Sequence, residues 1–325
     1  MKERSMRYLT PICLCLALAA CGGDFSNDDL EFQNAIPRRE DLMAKVLGQE
    51  QAKTRALRVA SKVHALRLGR LGEVSGIVGD TSETGRDFND SVGNMLQAIE
   101  NIRTQPATSR GPNRRVWGPF PGRNDMKFDT RFVMTREGGR FDYHLQLRDV
   151  GEGEGDWWSF LSGHFEATGG VRRGTGGLIL DLKRSREEGY LGVDVIDRQE
   201  IHYQTQTFPT RVELVWTFAD TTRPLPSRYV YREGEGGVAE MTFELAQTDF
   251  VLGGLKEDMA LTTRWAPDGR GLGAVEILKG DIPGAKYTEC WDAQGKVTFI
   301  ARSWDIFNPT EGVRASCPDL SALDR

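Results

Sequence analysis

The chain has 325 residues, 39% hydrophobic and 27% charged, with 37 Gly and 13 Pro, a globular composition that excludes collagen-like, coiled-coil and wholly disordered chains. Lys and Arg number 42 against 47 Asp and Glu, for a formal net charge of −5. That balance argues against nucleic acid as a partner, because a basic surface supplies most of such affinity.

The first twenty residues read as an export signal. Lys2, Arg4 and Arg7 form a positive start, and the apolar run Leu9 to Ala20 is too short for a spanning helix. No other long apolar stretch follows, so a multi-span helical membrane protein is excluded. The run ends in Leu18-Ala19-Ala20-Cys21, then Gly22-Gly23. This resembles the bacterial lipobox, whose cysteine receives a diacylglyceryl thioether and becomes the first residue of the mature chain. The resemblance implies lipidation at Cys21, a membrane partner through the anchor, and, with Gly22 next, sorting to the outer membrane. Residues 1–20 are then signal peptide and residues 21–38 a polar, lipidated tether.

Cysteine usage agrees with export. Cys13 and Cys15 leave with the signal and Cys21 is acylated, so Cys290 and Cys317 remain. Two cysteines in an oxidising compartment predict a disulfide.

Residues 39–110 carry helical periodicity. In a first helix, roughly Asp41 to Leu71, Leu47, Ala56, Val59, Ala60, Val63 and Leu66 share a stripe, with Lys45, Lys53, Arg55, Arg58, Lys62 and Arg67 opposite. That basic side reads as a solvated face or a pairing surface for the acidic body. In a second helix Phe88, Val92, Met95, Leu96, Ile99 and Ile102 repeat, with Ser82 or Thr84 as cap and Pro106 beyond the end. Gly72 to Asp80 supplies a turn, which predicts an αα-hairpin.

From residue 111 to 325 the texture changes to alternation. Met126, Phe128, Phe132 and Met134 lie opposite Lys127, Asp129 and Arg131; Glu137-Gly138-Gly139 turns the chain, and Phe141, Tyr143, Leu145 and Leu147 run back. Leu178, Leu180 and Leu182, then Val212, Leu214, Trp216 and Phe218, then Met241, Phe243 and Leu245 repeat the pattern, and Asp292 to Gly295 closes another hairpin. The expected fold is mainly β: a curved antiparallel meander or half-barrel of about 11–13 strands between Arg114 and Trp304, with the N-terminal helices beside it. The wet faces, with Lys127, Asp129, Arg131, Arg211 and Glu213, argue against a barrel within the bilayer.

Chemistry is sparse. No His-Glu-x-x-His, Gly-x-Ser-x-Gly or phosphate-binding Gly-x₄-Gly-Lys motif occurs, and no catalytic residue, metal site or cofactor is assigned. Gly269-Arg270-Gly271-Leu272-Gly273 sits at a hairpin with no helix after it. His64, His144, His164 and His202 are scattered and read as surface or satisfied histidines. Asp149, Glu152, Glu154 and Asp156, spaced by glycines, lack the register of a calcium loop and read as a solvated hairpin. Trp157 and Trp158 fall on opposite faces of one strand, one in the core and one half-exposed.

Glu289-Cys290-Trp291-Asp292 with its hairpin, Pro309-Thr310-Glu311-Gly312, Ser316-Cys317 and the Gly-x-Gly-rich strand from Gly269 to Gly280 resemble the C-terminal signature of uncharacterised lipoproteins of myxobacteria and related deltaproteobacteria. That resemblance implies a paired Cys290–Cys317 and an envelope location, and it implies no activity. Three functions are expected in order: a lipid-anchored, non-catalytic binding or assembly module with envelope proteins or lipids as partners; a periplasmic carrier of lipid or another hydrophobic ligand; and an enzyme acting on envelope glycans or peptides.

Overall fold

The computed structural model of the protein describes residues 27–46, 68–122, 127–170, 172–191, 195–219, 227–248 and 254–324. Alternation becomes strands throughout the second half: β1 (Ser109–Gly111), β2 (Arg114–Phe120), β3 (Phe128–Glu137), β4 (Arg140–Asp149), β5 (Trp158–Ala167), β6 (Gly174–Asp181), β7 (Ile196–Gln204), β8 (Thr210–Phe218), β9 (Arg228–Glu233), β10 (Ala239–Thr248), β11 (Glu257–Trp265), β12 (Gly271–Lys279), β13 (Lys286–Trp291), β14 (Val297–Arg302) and β15 (Thr310–Gly312). They form one curved, unclosed antiparallel sheet in strict chain order. The thirteen strands β2 to β14 fill the span read from the sequence, and the two three-residue strands lie just outside it. Those short strands are the sheet's edges, a length that leaves little template for pairing with another chain.

The helical half departs from the expected hairpin. One long helix, α3 (Gly76–Arg103), is capped by Ser75, whose side chain accepts from the Val78 N–H, rather than by Ser82 or Thr84. Gly76 and Gly79 favour a turn locally, but burial of Ile77 between them outweighs that preference. Ile77, Phe88, Val92, Met95, Leu96 and Ile99 all face the sheet. The helix crosses the strands: Thr81 Oγ1 donates to Thr263 Oγ1 of β11 at 3.2 Å, Phe88 packs on Tyr231 of β9, and just past its end the Gln105 carbonyl accepts from Trp117 Nε1 of β2 at 2.8 Å. The helix therefore belongs to the sheet's own core. Of the first expected helix, only α2 (Arg39–Leu42) is helical among the described residues; 43–46 and 68–70 are not, and 47–67, with His64, lie outside them.

The expected tether is also corrected from Asn27 onward. Residues Asn27–Asn34 form α1, and its Phe32 is fully buried, edge-on to Phe141 and beneath the guanidinium groups of Arg115 and Arg136. Asp29, buried as well, accepts from Arg115 Nε at 2.5 Å and from Arg110 Nε at 3.0 Å. Cys21 lies outside the described residues. Leu182, read as strand, instead begins a short helix, α4 (Leu182–Glu187), capped by Asp181 within the β6–β7 connection.

The opposite face of the sheet is covered in part by the C-terminal tail. Cys290 and Cys317 are bonded, Leu320 and Leu323 are buried, and Arg232 Nη2 donates to the Leu323 carbonyl at 2.7 Å. Replacing both cysteines by serine opens a loop of 27 residues and is expected to cost about 3.5 kcal/mol on the chain-entropy relation. Denaturant titration of the oxidised protein against the double variant measures that difference.

Candidate functional site

The signature around Cys290 resolves into a packing unit. Alternation along β13 sends Tyr287, Glu289 and Trp291 to the helix side and Cys290 to the tail side. Glu289 is fully buried and accepts from the Ser75 hydroxyl, from the Tyr287 hydroxyl at 2.6 Å and from the Gly69 N–H at 3.1 Å. Burial pushes its carboxyl above the usual range even though all three bonds favour the charged form. Trp291 Nε1 donates to the Gly269 carbonyl at 3.1 Å, and Asp292 Oδ1 accepts from the N–H groups of Gln294 and Lys296 to shape the next turn. A Cβ on Gly271 would stand 2.4 Å from the Trp291 ring and one on Gly273 would stand 2.7 Å from Ile77. The Gly-x-Gly strand is thus the floor on which Trp291 and the start of α3 rest.

Two concavities open at the end of the sheet where the β3–β4, β5–β6, β9–β10, β11–β12 and β13–β14 turns gather. The larger, about 900 Å³, lies among Lys45, Val78, Phe208, Trp265, Pro267 and Gln294 and is walled mainly by turn backbone. The smaller is a slot of about 450 Å³ beneath the C-terminal end of α1, between the β3–β4 and β5–β6 turns. Its walls are Ala35, Phe141, Phe165 and Ala167; Arg136, Arg172 and Glu31 stand among its lining. Arg136 pairs with Asp28 at 2.9 Å and Glu31 at 2.6 Å. Arg172 Nη1 reaches Asp41 at 3.2 Å and Glu40 at 3.3 Å. Burial pushes the Asp41 carboxyl upward.

The residues around Asp41 share an unusual feature. Arg172 has φ +60°, the left-handed region that a non-glycine residue rarely occupies, and its Nε is buried without a partner. Arg38 Nε is in the same condition. Tyr143 and Tyr203 lie flat over Gly163 and Gly176 with their buried hydroxyls close to one another, and burial pushes both phenols well above their ordinary range. Tyr203 stacks on Phe165, the slot's inner wall, at 6.5 Å. Buried donors without acceptors are uncommon, each costing about 1–3 kcal/mol when unmet.

The other sequence candidates are placed elsewhere. His164 and His202 stand on either side of Gly177 on the tail-side face of the sheet, and Asp142 is opposite His164. Burial, and after it the charge of Arg140, lowers the His164 imidazole pKa. His144 is also lowered by burial, and its Nδ1 is 3.2 Å from Ser159 Oγ. Among the described residues, no three His, Cys, Asp or Glu converge to hold a metal ion. In the acidic hairpin, Glu152 and Asp156 accept from the backbone N–H groups of Asp149 and Gly153, and Glu154 pairs with Arg131 at 2.7 Å. Trp158 is buried while Trp157 is half-buried between the guanidinium groups of Arg131 and Arg148, at 4.3 and 4.5 Å. Phe132 and Leu214 are fully buried in the core, with Phe128 and Trp216 packed beside them. Neither the slot nor the unmet donors carries a local sequence signal beyond Gly169-Gly170 ahead of two consecutive arginines. Set against family models, curated proteins and solved structures, the chain matches none of them.

Proposed function

We propose that the protein is a lipid-anchored binding or assembly module of the cell envelope, with no chemistry of its own. The observation that supports this reading is the Cys290–Cys317 bond, in a chain whose residues 1–20 read as an export signal that ends in the lipobox-like Leu18 to Cys21. Such bonds persist in oxidising compartments. Acyl chains on Cys21, at about 0.8 kcal/mol per buried CH₂, make a durable anchor. The stretch from Cys21 to Asn27 reaches at most about 20 Å when extended. The end of the sheet bearing α1 and the slot then stands close to the bilayer.

Mass spectrometry of the protein made with its own leader tests the anchor. The expected mature chain begins at Cys21 and carries a diacylglyceryl group, and Cys21→Ala releases the protein from the membrane fraction. A mature chain that retains residues 1–20, or an unmodified Cys21, overturns the reading. A second reading, carriage of a hydrophobic ligand, draws support from the slot beneath α1, whose volume falls within the usual range for small-ligand sites.

A further inference from the structure

We infer that His164 and His202 hold a divalent transition metal ion, Cu²⁺, Ni²⁺ or Zn²⁺, in the gap above Gly177, with the two imidazoles as its protein ligands and water completing the shell. This goes beyond the anchored-module reading and does not depend on it. The site follows from pairing register. His164 of β5, Gly177 of β6 and His202 of β7 lie opposite one another in one row across the tail-side face of the sheet. The two histidines are two strand spacings apart, about 10 Å, and the strand between them carries no side chain at this point. Both rings border that gap: a Cβ on Gly177 would stand 3.2 Å from His164 Cε1 and 3.4 Å from His202 Nδ1. His202 is exposed and His164 only half-buried, so the gap opens to solvent.

The orientation of His202 is that of a ligand. Its Nε2 lies 3.4 Å from Glu200 Oε2, which favours the proton on that nitrogen and leaves the Nδ1 lone pair facing the gap. A carboxylate on the far ring nitrogen is the usual companion of a metal-bound histidine. His164 turns to the gap the carbon between its two nitrogens, and a small tilt of the ring presents either of them. Burial lowers the pKa of this imidazole, which keeps it in the neutral, ligating form at neutral pH. The carboxylates around the row are already committed to arginines: Asp142 and Glu166 to Arg140, Glu200 to Arg198 and Glu213 to Arg211. The imidazoles are the donors left over, and nitrogen donors select Cu²⁺, Ni²⁺ and Zn²⁺ over Mg²⁺ or Ca²⁺.

The test titrates the purified full chain with Cu²⁺, Ni²⁺, Zn²⁺ and Mg²⁺. One Cu²⁺ per chain is expected, bound more tightly than Ni²⁺ or Zn²⁺, with Mg²⁺ inert. Pulsed electron paramagnetic resonance of the Cu²⁺ complex should count two coordinated imidazoles. His164→Gln and His202→Gln, both on the outer face, are each expected to weaken Cu²⁺ at least tenfold and to leave one imidazole in the spectrum. His144→Gln, whose ring contacts Ser159 instead, is expected to change neither reading. Thermal melting without metal checks that the variants fold alike. Cu²⁺ affinity indifferent to His164→Gln or His202→Gln, or a single imidazole in the parent spectrum, overturns the proposal, and so does a spread of weak sites in place of one-to-one binding.

Discussion

Replacing Glu289 by alanine is expected to cost about 3–5 kcal/mol, because it leaves buried donors unmet and opens a cavity. The Ser75 hydroxyl, the Tyr287 hydroxyl and the Gly69 N–H all converge on this carboxylate. Ser75 also caps α3, so the damage reaches the start of the long helix. Glu289→Gln is expected to behave differently. Its carbonyl oxygen can accept from Tyr287 and Gly69, and its amide can donate to the Ser75 oxygen. The pH dependence separates the two effects. Burial raises the folded-state pKa of Glu289 above its ordinary value of 4.5, so the native state binds the extra proton between those two values. The stabilisation from that proton is fully present below the ordinary value and is lost as pH rises through the raised one. The glutamine variant should therefore show a flatter stability profile above pH 4.5 and equal or greater stability at neutral pH. Denaturant midpoints across that range decide it; a glutamine variant as unstable as the alanine one would show that the negative charge itself is required.

Asp29→Ala is expected to cost about 2–3 kcal/mol, because it strips one of two carboxylates from a buried guanidinium that keeps Asp28. Arg115 is almost fully enclosed and loses the acceptor of its Nε, while Arg110 loses its own bond at the same stroke. The loss has a ceiling. Once it exceeds the free energy that docks α1, the helix detaches and the arginine is rehydrated. The global midpoint should then move less than the full amount, while a protease gains access to the segment between Asn34 and Arg38. Limited proteolysis and denaturant titration together read both numbers. Unchanged protection and an unchanged midpoint would mean that the Asp29 pairs do not hold α1 and that Phe32 docks it alone.

How much of this was legible in the chain depends on the range of the interaction concerned. The meander follows from period-two alternation and from turn residues such as Gly138-Gly139 and Asp292 to Gly295, all local signals. The second half of α3 follows from its apolar spacing in the same way. Its start did not, because Gly76 and Gly79 in the first turns disguise the local Ser75 cap, and the packing of Ile77 and the bond from Ser75 to Glu289, far along the chain, are long-range. Docking of α1 was invisible for a related reason: one phenylalanine in a polar helix carries no periodic signal, and its value comes from Arg115, Arg136 and Phe141. The slot is the extreme case. Phe141 and Phe165 read as ordinary core positions, and nothing in the order of residues announces that Arg172 takes a left-handed backbone or that Nε loses every acceptor.

The long helix also acts as a ruler. Its 28 residues measure about 42 Å at 1.5 Å per residue, and it is held at one end by β13 and at the other by β2. The strands between those two attachments, at about 4.8 Å apart, run over an arc of about 53 Å. A straight strut shorter than the surface it subtends obliges that surface to bow. Helix length and sheet curvature are thus matched in this molecule, with the sheet left unclosed. Lengthening α3 by one turn should flatten the sheet, and adding a hairpin beneath an unchanged helix should bend it more tightly.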